Sequence, residues 1–206
     1  MTVIGAIRAR GAPSLVVDPA PHVGASGGTP RDAAPREVAA LVAAAQGGDR
    51  SAFGALYERF ARLVHGVLLA NADRDDVQDL VQDVFLTALR QLHTLRDGAA
   101  FGGWLSTIAR NAARMHHRAR RRTVPLTDEI PGPAEPERGG AFGAADVLRA
   151  LQALPERYRE PLVLRLVEDM SGEEIARQTG LSHGTVRVYL HHGMRLLRER
   201  LAGGEG

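Results

Sequence analysis

The 206-residue sequence contains no cysteine and no lysine. Without cysteine, disulfides and thiolate metal sites are excluded, and a reducing compartment is the natural setting. Aromatic residues are scarce, 4% against 44% hydrophobic residues, so any core must be built from Leu, Val, Ala and Ile. That supply favours helices over strands, which draw on aromatic and β-branched side chains. Long apolar runs are also missing, since none approaches the roughly 20 residues needed to cross a bilayer. Residues 1–17 lack the continuous apolar stretch of a signal peptide. The expectation is a cytoplasmic protein with no membrane insertion. Every basic side chain is an Arg, and guanidinium does not titrate near neutrality, so a net charge of only +2 coexists with a pI of about 9.6. Bulk charge is a weak guide here; the placement of charge is a better one.

Residues 1–35 are rich in Gly, Pro, Ala and Ser without periodicity and read as a disordered tail. From residue 36 to 122 the pattern turns helical. A short helix over 36–46 ends at Gly47-Gly48, and Asp49 or Ser51 caps a second carrying Phe53, Leu56, Tyr57, Phe60, Leu63, Val64, Val67 and Leu68. A third, near 73–92, places Val77, Leu80, Val81, Val84, Phe85, Ala88, Leu89 and Leu92 on one face. A fourth, over about 101–121, buries Phe101, Trp104, Leu105, Ile108, Ala112 and Met115. Four amphipathic helices with short loops imply a bundle. Residues 123–143 carry Pro125, Pro131, Pro133, Pro136 and Gly139-Gly140 and read as a flexible linker. A second helical unit follows over 144–202. The fold class is all-α, with two small helical domains.

The third helix is acidic, with Asp73, Asp75, Asp76, Asp79 and Asp83. Carboxylates at a helix N-terminus complement the macrodipole, which accounts for the first three. Asp79, Gln82 and Asp83 lie deeper on one polar face, which pattern alone leaves as either a solvated surface or a docking face for a basic partner. The fourth helix is the opposite: Arg110, Arg114, Arg118, Arg120, Arg121 and Arg122 crowd its C-terminal half with no acid between them. One or two cations there suit the dipole, but six form a stripe suited to a phosphate backbone. Asn111 sits beside them, placed to hydrogen-bond a base edge. Phe101 and Trp104 have the spacing of a buried face, so core packing outweighs base stacking.

The C-terminal unit holds the sharpest local signal. Ser171-Gly172-Glu173-Glu174 is a capping box, a short helix carries Ile175 and Ala176, and Thr179-Gly180-Leu181 makes a tight turn. Ser182 then caps a last helix with Val186, Leu190, Met194 and Leu197 on its inner face. This is a helix-turn-helix, in which the head of the second helix enters the major groove. His183, Gly184, Thr185, Arg187, Val188 and His191 would face the DNA. A helical hairpin with a solvated basic face is the alternative, and the paired caps and turn glycine favour DNA. The eight His form no metal-ligand spacing: His116-His117 and His191-His192 are adjacent pairs that diverge on a helix. No phosphate loop and no nucleophile with a base is present in the sequence, so neither an enzyme nor a cofactor is expected.

These pieces in this order resemble the extracytoplasmic-function (ECF) group of bacterial sigma factors. Asp79-Leu80-Val81-Gln82-Asp83-Val84-Phe85 is similar to the family's segment that docks on the clamp helices of the polymerase β′ subunit. Phe101-Gly102-Gly103-Trp104-Leu105, Ile108-Ala109-Arg110-Asn111 and the arginine run resemble its melting and minus-ten segment. The stretch from Leu154 to Pro161, Glu173-Glu174-Ile175-Ala176 and Gly184-Thr185-Val186-Arg187 resemble its minus-thirty-five domain. The resemblance implies that Asp79, Gln82, Asp83 and Phe85 bind polymerase. It implies that Arg110, Asn111, Arg114, Arg118 and Arg121 hold the opened strand, and that the last helix reads duplex DNA. It also implies core RNA polymerase (β′ clamp helices and β subunit), promoter DNA and an anti-sigma factor as partners of a free monomer. One departure stands out: after the Arg of the last helix, where the family has a small polar residue and a further Arg, stand Val188 and Tyr189, then His191-His192. The competing reading is a DNA-binding regulator that recruits nothing; it leaves the acidic segment and the arginine-rich helix without a task.

Overall fold

The structure, a computed structural model, describes residues 30–123 and 143–203. Of the tail read over 1–35 and the linker read over 123–143, residues 1–29 and 124–142 lie outside the described residues. Eight α-helices and three short 3-10 turns make up the described residues: α1 (Pro30–Gln46), α2 (Arg50–Asn71), α3 (Val77–Gln91), α4 (Phe101–Thr123), α5 (Ala144–Gln152), α6 (Glu156–Leu166), α7 (Gly172–Thr179) and α8 (His183–Gly203). α1 starts ahead of residue 36, inside the stretch expected to be tail. Pro30 takes the first helical position, where its missing N–H would have been unpaired in any residue.

α2 is the axis of the molecule. Asp49 caps it, its carboxylate accepting from the Ser51 and Ala52 amides at 2.8 and 3.2 Å. Its first half buries one face, Ala52, Leu56 and Phe60, against α1, α3 and α4. Its second half is buried almost all round, from Leu63 and Val64 through Gly66, Val67, Leu68, Leu69 and Ala70. A helix apolar on every side needs cover on every side. The cover comes from the C-terminal unit: α5, α6 and α7 all contact α2, and Leu151, Leu162, Val163 and Leu164 share one continuous core with Leu63, Val67 and Leu68. The last turn of α2 is closed by the same unit. Gln152 donates to the carbonyls of Leu69 and Ala72 at 2.9 and 3.0 Å, and Arg159 to that of Ala70 at 3.2 Å. These are the carbonyls a helix C-terminus leaves without an internal partner.

Three sequence expectations in the bundle are corrected. Tyr57 is 42%, Leu89 49% and Met115 71% exposed, so none belongs to the core. All three sit at the edge of their helix's apolar stripe, where a small rotation decides the side. In the C-terminal unit, α6 runs through Pro161 without interruption. The capping box forms: the Glu174 amide donates to Ser171 Oγ at 3.1 Å, and the Ser171 amide to the Glu174 carboxylate at 2.7 Å. Gly180 ends α7 in the left-handed region at φ 77°, which glycine alone enters without strain.

Candidate nucleic-acid interface

α8 presents two faces. Val186, Gly193 and Leu197 are buried against the unit's core, with Leu190 and Met194 packed at its edge. His183, Gly184, Arg187, Val188 and His191 are exposed, and Thr185 is half-buried. Ser182 starts the helix by accepting from the Thr185 amide at 3.0 Å, and its hydroxyl meets that of Thr185 at 2.8 Å. A Cβ at Gly184 would find only Ser182 Oγ, at 3.8 Å, so the helix head is open to close approach. The unusual residues of this helix divide. Tyr189 turns inward, edge-on to Tyr158 with centroids 5.8 Å apart, and His192 faces the same ring at 6.5 Å. Val188 and His191 stay on the outer surface.

The basic stripe of α4 is less uniform than its sequence. Arg120 donates to Asp73 and, at 3.0 Å, to Asp76. His116 Nε2 sits 2.9 Å from the same Asp76. Those contacts tie α4 to the start of α3 and hold the Asp76 carboxyl below its usual range, the His116 hydrogen bond first and Arg120 after it. Arg110 is also engaged: its Nε lies 2.9 and 3.2 Å from the two Glu160 oxygens of α6. Glu160 is buried, and Asn71 donates to it at 3.0 Å. Burial pushes its carboxyl above the usual range, against the pull of Arg110 and Asn71. Asn111, Arg114 and Arg118 are exposed, and neither arginine forms an ion pair among the described residues. The side chain of Arg121 lies outside the described residues. Asn111 sits about 15 Å along the helix axis from the turn that precedes α4, at about 1.5 Å per residue. That turn is closed by Asp97, which accepts from the Ala99 amide at 3.0 Å.

On α3, Asp79, Gln82 and Asp83 are exposed and contiguous on one face. Phe85 is not on that face. It is 4% exposed, packed between Phe53 and Tyr57, and supports the surface from beneath rather than meeting a partner. Sequence reasoning missed the apolar residues near this face: Leu86, 54% exposed, lies one turn beyond Gln82 and Asp83, Leu89 one turn beyond Leu86, and the half-exposed Tyr57 of α2 packs on Phe85. Leu86 falls outside the core periodicity, a signal that was available.

Among the described residues, an all-helical protein whose helix-turn-helix packs on an arginine-rich bundle has the make-up of the DNA-binding class. The Sigma-70 region 2 family matches residues 56–123, and the Sigma-70 region 4 family matches residues 144–197. An ECF RNA polymerase sigma-E factor of Haemophilus influenzae is 30% identical over 177 residues, 79% of this chain and 94% of its own length. RNA polymerase sigma factor CarQ of Myxococcus xanthus is 36% identical over 160 residues, 75% of this chain and 91% of its own. The structure of CnrH in complex with the cytosolic domain of CnrY is similar at a TM-score of 0.54 and 27% identity, covering 81% of this chain and 98% of CnrH. The chain belongs to the ECF RNA polymerase sigma factors of the sigma-70 family.

Proposed function

We propose that this sigma factor divides its work among three faces. The exposed acidic and apolar surface of α3, with Asp79, Gln82, Asp83, Leu86 and Leu89, docks on core polymerase. Arg110, Asn111, Arg114 and Arg118 of α4 hold the opened promoter strand, and the outer face of α8 reads duplex DNA upstream. The factor itself performs no catalysis: it works by binding, in the cytoplasm where the polymerase is, and the polymerase supplies the chemistry. The observation that carries this reading is the first two turns of α8, whose outer face is solvent-open while its inner face is locked by caps and core. A protein partner that silences the factor fits the same architecture, as the similar CnrH is found in complex with the cytosolic domain of CnrY.

Run-off transcription with purified core polymerase tests the reading. Wild type directs initiation from a cognate promoter. Asp83→Arg weakens core binding with helical content unchanged, because it places a cation in the middle of the acidic face. Unaltered core affinity in a titration would remove α3 from the assignment.

A further inference from the structure

The rotation of α8 about its own axis is fixed by its packing. Val186 and Leu197 are buried, and a Cβ added at Gly193 would stand 2.8 Å from Leu162 Cδ1 and 3.2 Å from Tyr158 Cβ, so the helix lies flush on α6. At about 100° per residue, Val188 points about 200° from Val186 and about 180° from Leu197. It therefore stands at the centre of the outer face, not at the edge of an apolar stripe like Tyr57, Leu89 and Met115. Among the large apolar residues of α8 it alone is exposed, at 49%. Arg187 and His191 flank it, and Gly184 lies one turn before it with its side open. A β-branched residue is a weaker helix former than alanine or arginine. Neither packing nor helix propensity accounts for a valine there.

We propose that Val188 is a base-reading residue whose ligand is the C5 methyl of a thymine in the major groove of the upstream duplex. The inference rests on the function proposed above, in which α8 meets duplex DNA, and adds what one side chain of that face recognises. Groove chemistry narrows the choice. Phosphate oxygens are charged and hydrated, and an apolar group laid against them displaces water without replacing its hydrogen bonds. The major-groove edges of the bases carry donors, acceptors and a single apolar group, the thymine methyl. Valine is short, so it touches a base edge only when the helix backbone comes close. Gly184 removes the side chain that would hold the head of α8 away. The branched Cβ favours one rotamer in a helix, so the methyls of Val188 are placed in advance rather than ordered on binding. Arg187 beside it has the reach for a guanine edge or a phosphate, so the two neighbours select different features of the duplex.

The test removes the methyl and nothing else. Core polymerase carrying the full-length factor is titrated with cognate promoter duplexes in which deoxyuridine replaces the thymines of the upstream element one at a time, on either strand. Uracil keeps the hydrogen-bonding edge of thymine and lacks only the C5 methyl. Wild type should bind about fourfold more weakly at one position, the effect of burying one methyl-sized group. Val188→Ala should bind thymine and uracil equally well at that position, with its response at every other position unchanged. Alanine is the better helix former, so the variant keeps α8 intact. The proposal is overturned by an upstream element with no thymine on either strand, by a scan in which no position responds, or by a response that Val188→Ala leaves in place. In each of those cases Val188 is a solvated surface residue. Failure of wild-type run-off transcription from the same promoter strikes the proposed function instead, so the two failures are told apart.

Discussion

The two helices proposed to face DNA are held in opposite ways. α8 is set by its own unit: a serine cap, a left-handed glycine before it and a buried inner face, with its outer side chains mostly untied. α4 carries more charge, yet Arg120 is bound to Asp73 and Asp76, and Arg110 to Glu160 of the other unit. On the proposed reading, α8 is therefore ready to meet DNA as it stands, whereas among the described side chains α4 offers a strand Asn111, Arg114 and Arg118. An arginine stripe in a sequence is an upper bound on the charge offered to a ligand. Part of the stripe holds the protein together.

The comparison breaks most completely if the shared core is broken. Phe101 is fully buried, 5.1 Å from the Phe60 ring and 5.7 Å from that of Trp104, and it precedes the glycine pressed against α7. Phe101→Ala should lower unfolding free energy by about 3–5 kcal/mol, the usual loss for a large core aromatic. Trp104 is the single tryptophan, so its fluorescence reports region 2, while circular dichroism reports all helices. In wild type the two urea transitions should coincide, because α2 is shared. Separate transitions in wild type would show that the two units fold without regard to each other.

The next contrast is between reading and holding. Arg187→Ala should weaken promoter binding by about 1–3 kcal/mol and relax specificity at one base pair, as expected for lost base contact. Arg114→Ala should weaken binding evenly across sequences and reduce the salt slope by about one unit, as expected for lost phosphate contact. Affinities measured across a salt series and a set of single-base promoter variants separate the two. If Arg187→Ala behaves like Arg114→Ala, the register of α8 in the groove is wrong.

Much of this was legible because local rules were obeyed. The capping box at Ser171, the glycine stop at Gly180 and the period of α8 each depend on residues a few positions apart, and all three formed as the residues imply. The exposed face at Asp79, Gln82 and Asp83 was legible for the same reason. The seam between the units was not, because its parts are far apart in the chain: Asn71 and Glu160 are separated by 89 positions, His65 and Glu168 by 103. One trace was present. The run Val67-Leu68-Leu69-Ala70 makes the end of α2 apolar on every side, more than a four-helix bundle alone would bury. Phe85 is buried between Phe53 and Tyr57, because a seven-residue stretch read as one segment wraps around its helix and mixes exposed residues with residues that support them.

The smallest effects come from two carboxylates that respond to acid with opposite sign. Asp76 is held below its ordinary 3.8, first by the His116 hydrogen bond and then by Arg120. Its contribution to stability is therefore present above 3.8 and lost as pH falls through the lower folded value. Glu160 is raised above its ordinary 4.5, first by burial. The folded protein holds that proton more tightly than the unfolded chain does, so its favourable contribution is present below 4.5 and lost as pH rises through the raised folded value. The two groups also lie in different places, Asp76 within region 2 and Glu160 at the seam. Asp76→Asn should lower the urea midpoint at neutral pH, with the deficit closing as pH drops below 3.8. For Glu160→Gln, the change in midpoint relative to wild type should move in the favourable direction as pH rises from 4 toward 7, because wild type alone then carries the buried charge. Urea midpoints taken from pH 3 to 7 on both variants decide the matter, and parallel curves for the two would mean that the seam does not bury Glu160 in solution.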